Sequence, residues 1–446
     1  MGVMRAFMDP AGRRALALAL TTSALALSFP ADASTALGKR PLVITPVPVA
    51  TQKAQPHKPQ VRKRARQQVT ARRTPRSAEP AETEQGPPAR RPFTAADQEA
   101  AAIPGIPDAR FFGDAEKDFL RAVGSVEGAW IALSGGGEEG AFGAGLMAGL
   151  SQAGRRPDFA VVTGVSTGAL MAPYVFLGSR YDAALKANYT GITAGDIFEL
   201  AKTPESFFDT WPLKKLIEKQ VTPELLGEIA AEHRKGRRLL VITTGLDSGR
   251  PVVWNIGAIA GRGDERALRL VRDVLLASSS IPGFFPPVHI EVEANGKTFS
   301  EMHADGTIRA PFYIAPESLL AGSGVRLPAA QLYVVVNSRL GAGFELTSRS
   351  PLSVLGRAIT VALKATLRGE ILRAYAAARR HGTGFQVALV PSDFEHPCHG
   401  VFDTACMQAL YEVGVKQGTN GDAFRAIPPG IPATSSAMGM TGATAR

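Results

Sequence analysis

Short apolar runs alternate with helix-like segments from about residue 111 to residue 426. The runs AWIALS (129–134), FAVVTG (159–164) and LLVITTG (239–245) are typical of buried strands, because they are short and uncharged. A helix that Asp264 would cap follows later, and another is predicted over residues 354–380. Strands that alternate with helices indicate a layered α/β fold. Further strands are predicted at residues 251–257, 331–337 and 385–390, with a hairpin turn at 247–250.

The amino-terminal segment does not share this pattern. Residues 1–33 combine three arginines, an apolar run at residues 15–29 and a small-x-small cleavage site, which is typical of a signal peptide. The apolar run is short and contains threonine and serine, which favours cleavage, with an uncleaved anchor as the alternative. We therefore expect export to the periplasm or cell envelope, or secretion.

Residues 34–105 are rich in proline and basic residues and are predicted to be a disordered linker. Residues 34–92 hold thirteen Lys/Arg against three Asp/Glu, so they account for the formal net charge of +10 of the 446-residue chain. The folded body is close to neutral, and we expect no nucleic-acid partner. The segment 34–92 could bind an anionic membrane or cell-envelope surface, or serve only as a solvated tether. Residues 427–446 are predicted to be a flexible tail.

The chain has two cysteines, Cys398 and Cys406. In an exported protein this close pair is expected to form a disulfide, and two buried reduced thiols are the alternative. A C-x7-C pair without further ligands is a poor metal site, so no metal is expected.

A glycine cluster follows the first predicted strand, in the sequence SGGGEEG at residues 134–140. Gly135, Gly136 and Gly137 can adopt conformations that other residues avoid, and N–H groups at a helix start can bind an anion. The spacing does not fit a dinucleotide fingerprint, and the lysine of a phosphate-binding loop is absent. Because two glutamates disfavour phosphate, we expect an oxyanion hole; a purely structural turn is the alternative.

Gly164, Ser166 and Gly168 form a G-x-S-x-G pattern after the second predicted strand. In a chain with 46 glycines this pattern arises by chance roughly 0.3 times, so it carries little weight alone. Its position between a strand and a helix is that of a nucleophile elbow, in which the two glycines allow a tight turn. We therefore expect Ser166 to be a nucleophile.

The expected proton acceptor is a carboxylate. Asp305, in the sequence ADGT, precedes a glycine in a turn that can direct its side chain inward. Partial burial would raise its pKa and make it a general base, whereas an ordinary Asp-Gly turn is the alternative. No histidine stands in a comparable motif; the seven are His57, His233, His289, His303, His381, His396 and His399.

Two apolar segments have roles that the pattern leaves open. Phe284 and Phe285 stand between prolines in IPGFFPP, and they could line an acyl pocket or belong to a stiff packed loop. The predicted helix at residues 354–380 carries basic residues among aliphatic ones. This composition suits an anionic membrane surface or an ordinary solvated face over a core stripe.

In their order along the chain, SGGGEEGAFGAG, GVSTG, ASSSIPGFFPPV and ADGT resemble the motifs of the patatin-like phospholipase family. The resemblance covers about residues 127–415, within a domain placed at 111–426. It implies a three-layer α/β sandwich with a mostly parallel central sheet. It also implies hydrolysis of lipid acyl esters by a Ser-Asp dyad of Ser166 and Asp305, without metal or cofactor.

Two positions depart from the family pattern. Glu139 stands where many members have arginine or lysine, which bears on the preference for anionic phospholipids. The aspartate motif reads Asp-Gly-Thr rather than Asp-Gly-Gly, with Asp305 and Gly306 intact. Two other functions stay open: a non-catalytic lipid-binding envelope protein tethered by its basic arm, and an acyltransferase that uses the same dyad. The lipid, the acyl position and the oligomeric state are not indicated.

Overall fold

The computed structural model describes residues 90–201, 206–322, 324–341, 343–344, 346–396 and 398–431, without the side chain of Leu352. The predicted signal peptide and the stretch 34–89 of the predicted linker lie outside the described residues, as does the tail beyond residue 431. Those predictions stay untested. The described residues all belong to one compact unit.

The described chain alternates strands and helices along most of its length. The strands are β1 (Arg110–Phe112), β2 (Gly128–Leu133), β3 (Phe159–Val165), β4 (Glu199–Leu200), β5 (Phe208–Asp209), β6 (Arg238–Gly245), β7 (Arg250–Asn255), β8 (Val288–Ala294), β9 (Lys297–Asp305), β10 (Ala329–Val336) and β11 (Gly384–Leu389). The helices are α1 (Ala95–Glu99), α2 (Glu116–Val123), α3 (Gly140–Gln152), α4 (Thr167–Leu177), α5 (Asp182–Thr190), α6 (Trp211–Gln220), α7 (Pro223–Arg234), α8 (Ile256–Ala260), α9 (Glu265–Ser278), α10 (Glu317–Ala321), α11 (Pro351–His381) and α12 (Thr404–Asn420).

The central sheet is mostly parallel. Strands β11, β10, β2, β3 and β6 lie side by side in that order and run in the same direction. Antiparallel β7 and then β1 extend the sheet beyond β6. The hairpin of β8 and β9 joins through β9, which pairs antiparallel with the end of β6. The predicted α/β class with a mostly parallel sheet is confirmed.

Helices cover both faces of this sheet because side chains along each strand point alternately to opposite sides. On β2, Ile131 and Leu133 face one core, which is formed with α3, α4, α9 and α12. Trp130 and Ala132 face a second core, formed with α2 and the carboxyl-terminal half of α11. The predicted three-layer sandwich is therefore present.

Two strands meet end to end along one edge of β6. Strand β3 runs parallel to β6 and ends at Val165, which lies opposite Ile242. Strand β9 runs the other way and ends at Asp305, which lies opposite the next residue, Thr243. The residues that follow β3 and those that end β9 are thereby brought to one point of the sheet.

The predicted strands and helices of the body are present, and several elements were not predicted, among them the β8–β9 hairpin and helix α12. The β8–β9 hairpin carries alternating buried and exposed positions on β8, a signal that the sequence contained. Helix α12 was hidden by Gly414 and Gly418, because glycine lowers helix propensity. A Cβ at either position would overlap the backbone of α3. These glycines therefore permit the close contact of the two helices.

Residues 90–105, expected to be disordered linker, are instead packed against the domain. Phe93 stacks on Phe299 with ring centroids 4.4 Å apart, and Thr94 caps α1 with a capping box. Ile103 is 5% exposed. The ordered domain therefore begins before residue 111, earlier than we expected. The average composition of residues 34–105 concealed the apolar residues that begin at Phe93.

We expect Ile103→Ala to lower the free energy of unfolding by about 2–4 kcal/mol, because it removes buried methyl groups and leaves a cavity. Chemical denaturation of the full chain measures this. Leu200→Ala is the matched control, since Leu200 is 78% exposed, and its effect should stay within about 0.5 kcal/mol. Equally small effects of both substitutions would show that residues 90–105 are not part of the folding unit.

Candidate active site

Ser166 lies in the sharp turn between β3 and α4. Its backbone has φ 54° and ψ −125°, in the half of conformational space that favours glycine. A non-glycine residue held there indicates local strain, as in a nucleophile elbow. Ser166 also occupies the N-cap position of α4, where the partial positive charge of the helix start favours a negative oxygen.

The two flanking glycines let strand and helix approach closely. A Cβ on Gly164 would overlap the carbonyl oxygen of Gly168, and a Cβ on Gly168 would overlap the backbone of Leu133 on β2. The structure therefore places Gly164 and Gly168 at the elbow, as the sequence pattern predicted.

Asp305 lies beside Ser166 at the end of β9. Its carboxylate accepts the N–H of Thr307 at 2.8 Å, and the Ser166 side chain lies close enough to it to lower its pKa. Asp305 is 2% exposed and Ser166 8%. Burial raises the pKa of Asp305 to about 6, although the interactions with Ser166 and Thr307 partly offset this rise.

Two of the three consecutive serines at the end of α9, Ser278 and Ser280, hold both residues in place, and the sequence analysis missed this role. The Ser278 hydroxyl accepts the N–H of Ser166 at 3.0 Å and donates to the Ile242 carbonyl at 2.7 Å. The Ser280 carbonyl accepts the N–H of Asp305 at 2.8 Å. The signal was the run SSS before IPG, in which polar residues interrupt an otherwise buried segment.

The glycine loop provides two free amides beside Ser166. Within the described part of the chain, no acceptor takes the N–H of Gly136 or Gly137. The N–H of Gly135 donates to the Pro311 carbonyl at 3.0 Å. Gly135, predicted as an oxyanion donor, is therefore already engaged by Pro311, and it allows the loop to pack on Ser166 and Thr307. The oxyanion role of Gly136 and Gly137 stays a prediction.

Asn337, immediately after β10, fixes this loop and was not anticipated. Its backbone N–H donates to the Ser134 hydroxyl at 2.8 Å, and its side-chain amide donates to the Ser134 carbonyl at 2.9 Å. A Cβ on Gly136 would overlap the Asn337 carbonyl. A lone asparagine after a strand gives no recognisable signal in a sequence, because its partner lies 203 residues away.

The acidic pair after the glycines is partly compensated by an arginine from a distant segment. Arg339 contacts Glu139 with its side chain (Nε to Oε1, 2.9 Å) and with its backbone N–H. Burial raises the pKa of Glu138. A cation is thus present near the loop although residue 139 is itself acidic.

Phe284 and Phe285 belong to an aromatic cluster on the segment that follows Ser280. The Phe284 ring lies 6.4 Å from that of Phe207, and the Phe285 ring lies 5.8 Å from that of Phe198. Both are half-buried. The structure records no direct contact of either ring with Ser166, so their role as an acyl pocket stays a prediction.

No described histidine has a recorded contact with Ser166 or Asp305. His303 is closest along the chain, and its two ring nitrogens contact Thr243 (3.0 Å) and Glu301 (3.2 Å). Burial lowers the pKa of His303. Its ring nitrogens are therefore already engaged and are not free to serve Ser166.

Cys398 and Cys406 form a disulfide with an S–S distance of 2.05 Å. His396 lies next to them, and the three potential ligand atoms are within 4.8 Å of one another. Because both sulfur atoms form the disulfide, His396 is the one residue of these three that could still bind a metal ion.

The strain at Ser166 leads to a stability prediction. We expect Ser166→Gly to be more stable than Ser166→Ala by about 1–3 kcal/mol, because glycine adopts this backbone conformation freely and alanine does not. Urea denaturation of the two variants under the same conditions measures the difference. At an unstrained position alanine would be equal or better, so that result would show that the elbow stores no strain.

The chain is similar to known proteins over part of its length. Residues 131–316 match the patatin-like phospholipase family, which confirms the resemblance seen in the motifs. A solved structure with partial similarity is VipD from Legionella pneumophila, at 14% identity and a TM-score of 0.34, covering 66% of this chain and 67% of that chain. No curated protein matches the chain. The match identifies residues 131–316 as a patatin-like phospholipase domain, a domain type of lipid hydrolases.

Proposed function

We propose that the protein is a serine acyl hydrolase that cleaves carboxylic esters of lipids through an acyl-enzyme. The observation that carries this proposal is the buried pair of Ser166 and Asp305 beside the free amides of Gly136 and Gly137. A nucleophile, a base and oxyanion donors are the groups that acyl transfer requires.

The first step forms the acyl-enzyme. Asp305, as a carboxylate, accepts the proton of the Ser166 hydroxyl while the serine oxygen attacks the ester carbonyl carbon. The amides of Gly136 and Gly137 donate to the oxyanion of the tetrahedral intermediate. Collapse breaks the ester C–O bond, and protonated Asp305 gives its proton to the departing alcohol.

The second step releases the acid. Asp305 takes a proton from water as the water oxygen attacks the acyl carbon. The bond to Ser166 then breaks and the proton returns to the serine oxygen. One ester and one water yield one acid and one alcohol, and the side chains return to their starting state.

The substrate is proposed to be a lipid ester, with Phe284 and Phe285 contacting its acyl chain. The same proposal includes export of the protein and attraction of residues 34–92 to an anionic envelope surface. The sequence of the amino-terminal segment supports both.

Ser166→Ala should abolish hydrolysis of a chromogenic acyl ester and labelling by a fluorophosphonate, because the attacking oxygen is gone. Ser318→Ala is the matched control, since Ser318 is exposed and distant along the chain, and it should keep both. A wild-type protein that is folded but neither hydrolyses esters nor is labelled would instead be a lipid-binding protein. Acyl transfer to an added alcohol in preference to water would identify an acyltransferase.

Asp305→Asn should lower kcat by at least about a hundredfold, because an amide cannot accept the proton of Ser166. It should not unfold the protein. Burial raises the pKa of Asp305 from 3.8 to about 6, so ionisation of this carboxyl group lowers the folding stability of the wild-type protein as the pH rises from about 4 to 6. The amide of the variant does not ionise, so the variant avoids this loss. An active Asp305→Asn variant would overturn the assignment of the base.

The activity should depend on pH through the same group. Because Asp305 acts as a base only when ionised, kcat/KM for a soluble ester should fall below about pH 6, by about tenfold per pH unit. Initial rates from pH 4 to 8, with circular dichroism to verify folding, measure this profile. A rate that stays constant down to about pH 4 would show that no group with this pKa accepts the proton.

A further inference from the structure

Large apolar side chains are exposed on three segments near the active site. We define the apolar surface as Phe207, Phe344, Leu346, Val354 and Val361, which are 50%, 96%, 87%, 55% and 53% exposed. Single exposed apolar residues are ordinary, but neighbouring ones mark interaction sites. Their arrangement therefore needs an explanation.

The helical part of this surface lies on the first half of α11. Among its described side chains none is buried before Leu367, whereas Leu367, Ile371 and Ala374 pack into the core. Residues 351–366 contain only two charged residues. Gly356, Ile359 and Leu363 are half-buried. The apolar side chains of Val354, Leu355 and Val361 are exposed, although an apolar helical segment normally buries its apolar face. Among the described helices none is both long and apolar enough to cross a membrane.

Recorded contacts join the three segments. The Phe284 ring lies 6.4 Å from that of Phe207, and its Cζ lies 3.3 Å from the point where a Cβ on Gly356 would stand. Phe284 thus connects Phe207 to α11. The Arg357 side chain donates to the Gly343 carbonyl at 2.6 Å, which holds the segment containing Phe344 against the same helix.

The same segments lead directly to the active site. The loop that carries Phe284 begins at Ser280, whose carbonyl accepts the N–H of Asp305 at 2.8 Å. The segment before Phe344 carries Arg339, which contacts Glu139 after the glycine loop. The apolar surface therefore adjoins both the base and the oxyanion loop.

Basic residues accompany this apolar surface. Residues 344–370, which include the helical part of the surface, contain four basic residues and two acidic ones. Near Phe207, the ammonium groups of Lys214 and Lys215 lie 5.6 Å and 5.2 Å from the ring of Trp211, which is itself 47% exposed. Apolar side chains among cationic ones match the acyl and phosphate layers of an anionic bilayer.

We propose that the apolar surface docks the protein on an anionic lipid bilayer, with its apolar side chains among the acyl chains and its basic residues at the phosphates. The proposal rests on the proposed hydrolysis of lipid esters, because it supplies the route of the substrate to Ser166. A second copy of the chain is the less suitable occupant, since two identical basic surfaces repel each other.

Vesicle binding by the full chain tests the proposal. All proteins carry Ser166→Ala so that lipid is not consumed, and the probe is vesicles of phosphatidylcholine with phosphatidylglycerol, compared with phosphatidylcholine alone. The surface variants are F344S/L346S and V354S/V361S. The matched control is V325S, because Val325 is also exposed but precedes β10, at the edge of the sheet opposite Ser166. Residues 34–92 are present throughout, so differences report the surface alone.

Both surface variants should bind the anionic vesicles about tenfold or more weakly than the parent, and V325S should bind as the parent does. With Ser166 restored, the surface variants should hydrolyse a soluble short-chain ester at the parent rate, which verifies folding. Unchanged vesicle binding by the surface variants would overturn the proposal. If these variants also lost self-association while they still bound vesicles, the surface would instead be covered by a second copy of the chain. Vesicle binding without any ester hydrolysis by the serine form would refute the proposed function and leave the surface standing.

Discussion

The meeting of β3 and β9 along one edge of β6 is the constraint on which the active site depends. Backbone hydrogen bonds fix the register of both strands against β6, so Val165 lies opposite Ile242 and Asp305 opposite Thr243. Register in a sheet changes only in whole residues, and a shift of one residue turns a side chain to the other face. The Ser166–Asp305 distance is thereby set by the sheet and not by flexible loops.

A junction between two strand ends leaves backbone groups without ladder partners, and buried polar groups must be satisfied. Ser278 meets this need because its hydroxyl serves both Ile242 and Ser166. On the other side, β9 is anchored by the buried ion pair of Arg110 and Glu301, at 2.5 Å. Sliding of β9 would break this pair and leave an uncompensated buried charge, so the pair opposes a change of register. The polar groups around the junction thus fix the register as well as the chemistry.

The sequence predicted the elements that local patterns encode. Ser166, Asp305 and the two elbow glycines follow from short motifs, and the parallel sheet follows from the alternation of strands and helices. Asn337, Ser278 and Arg339 could not be found in the same way, because each acts through a partner far away in the chain. The engagement of the Gly135 N–H by Pro311 could not be predicted for the same reason. Local geometry was predictable, whereas hydrogen-bond partners across the fold were not.

Burial connects the base to the route by which a lipid would arrive. Asp305 has a raised pKa because water is excluded from it, and a site that excludes water also resists the entry of a hydrated substrate. An ester that enters from a bilayer passes from one apolar environment to another and avoids most of the cost of desolvating its acyl chain. The exposed apolar side chains on α11 and beside Phe284 lie where such a transfer would begin. The exclusion of water that raises the pKa of Asp305 thus gives a physical reason for the proposed supply of substrate from a membrane.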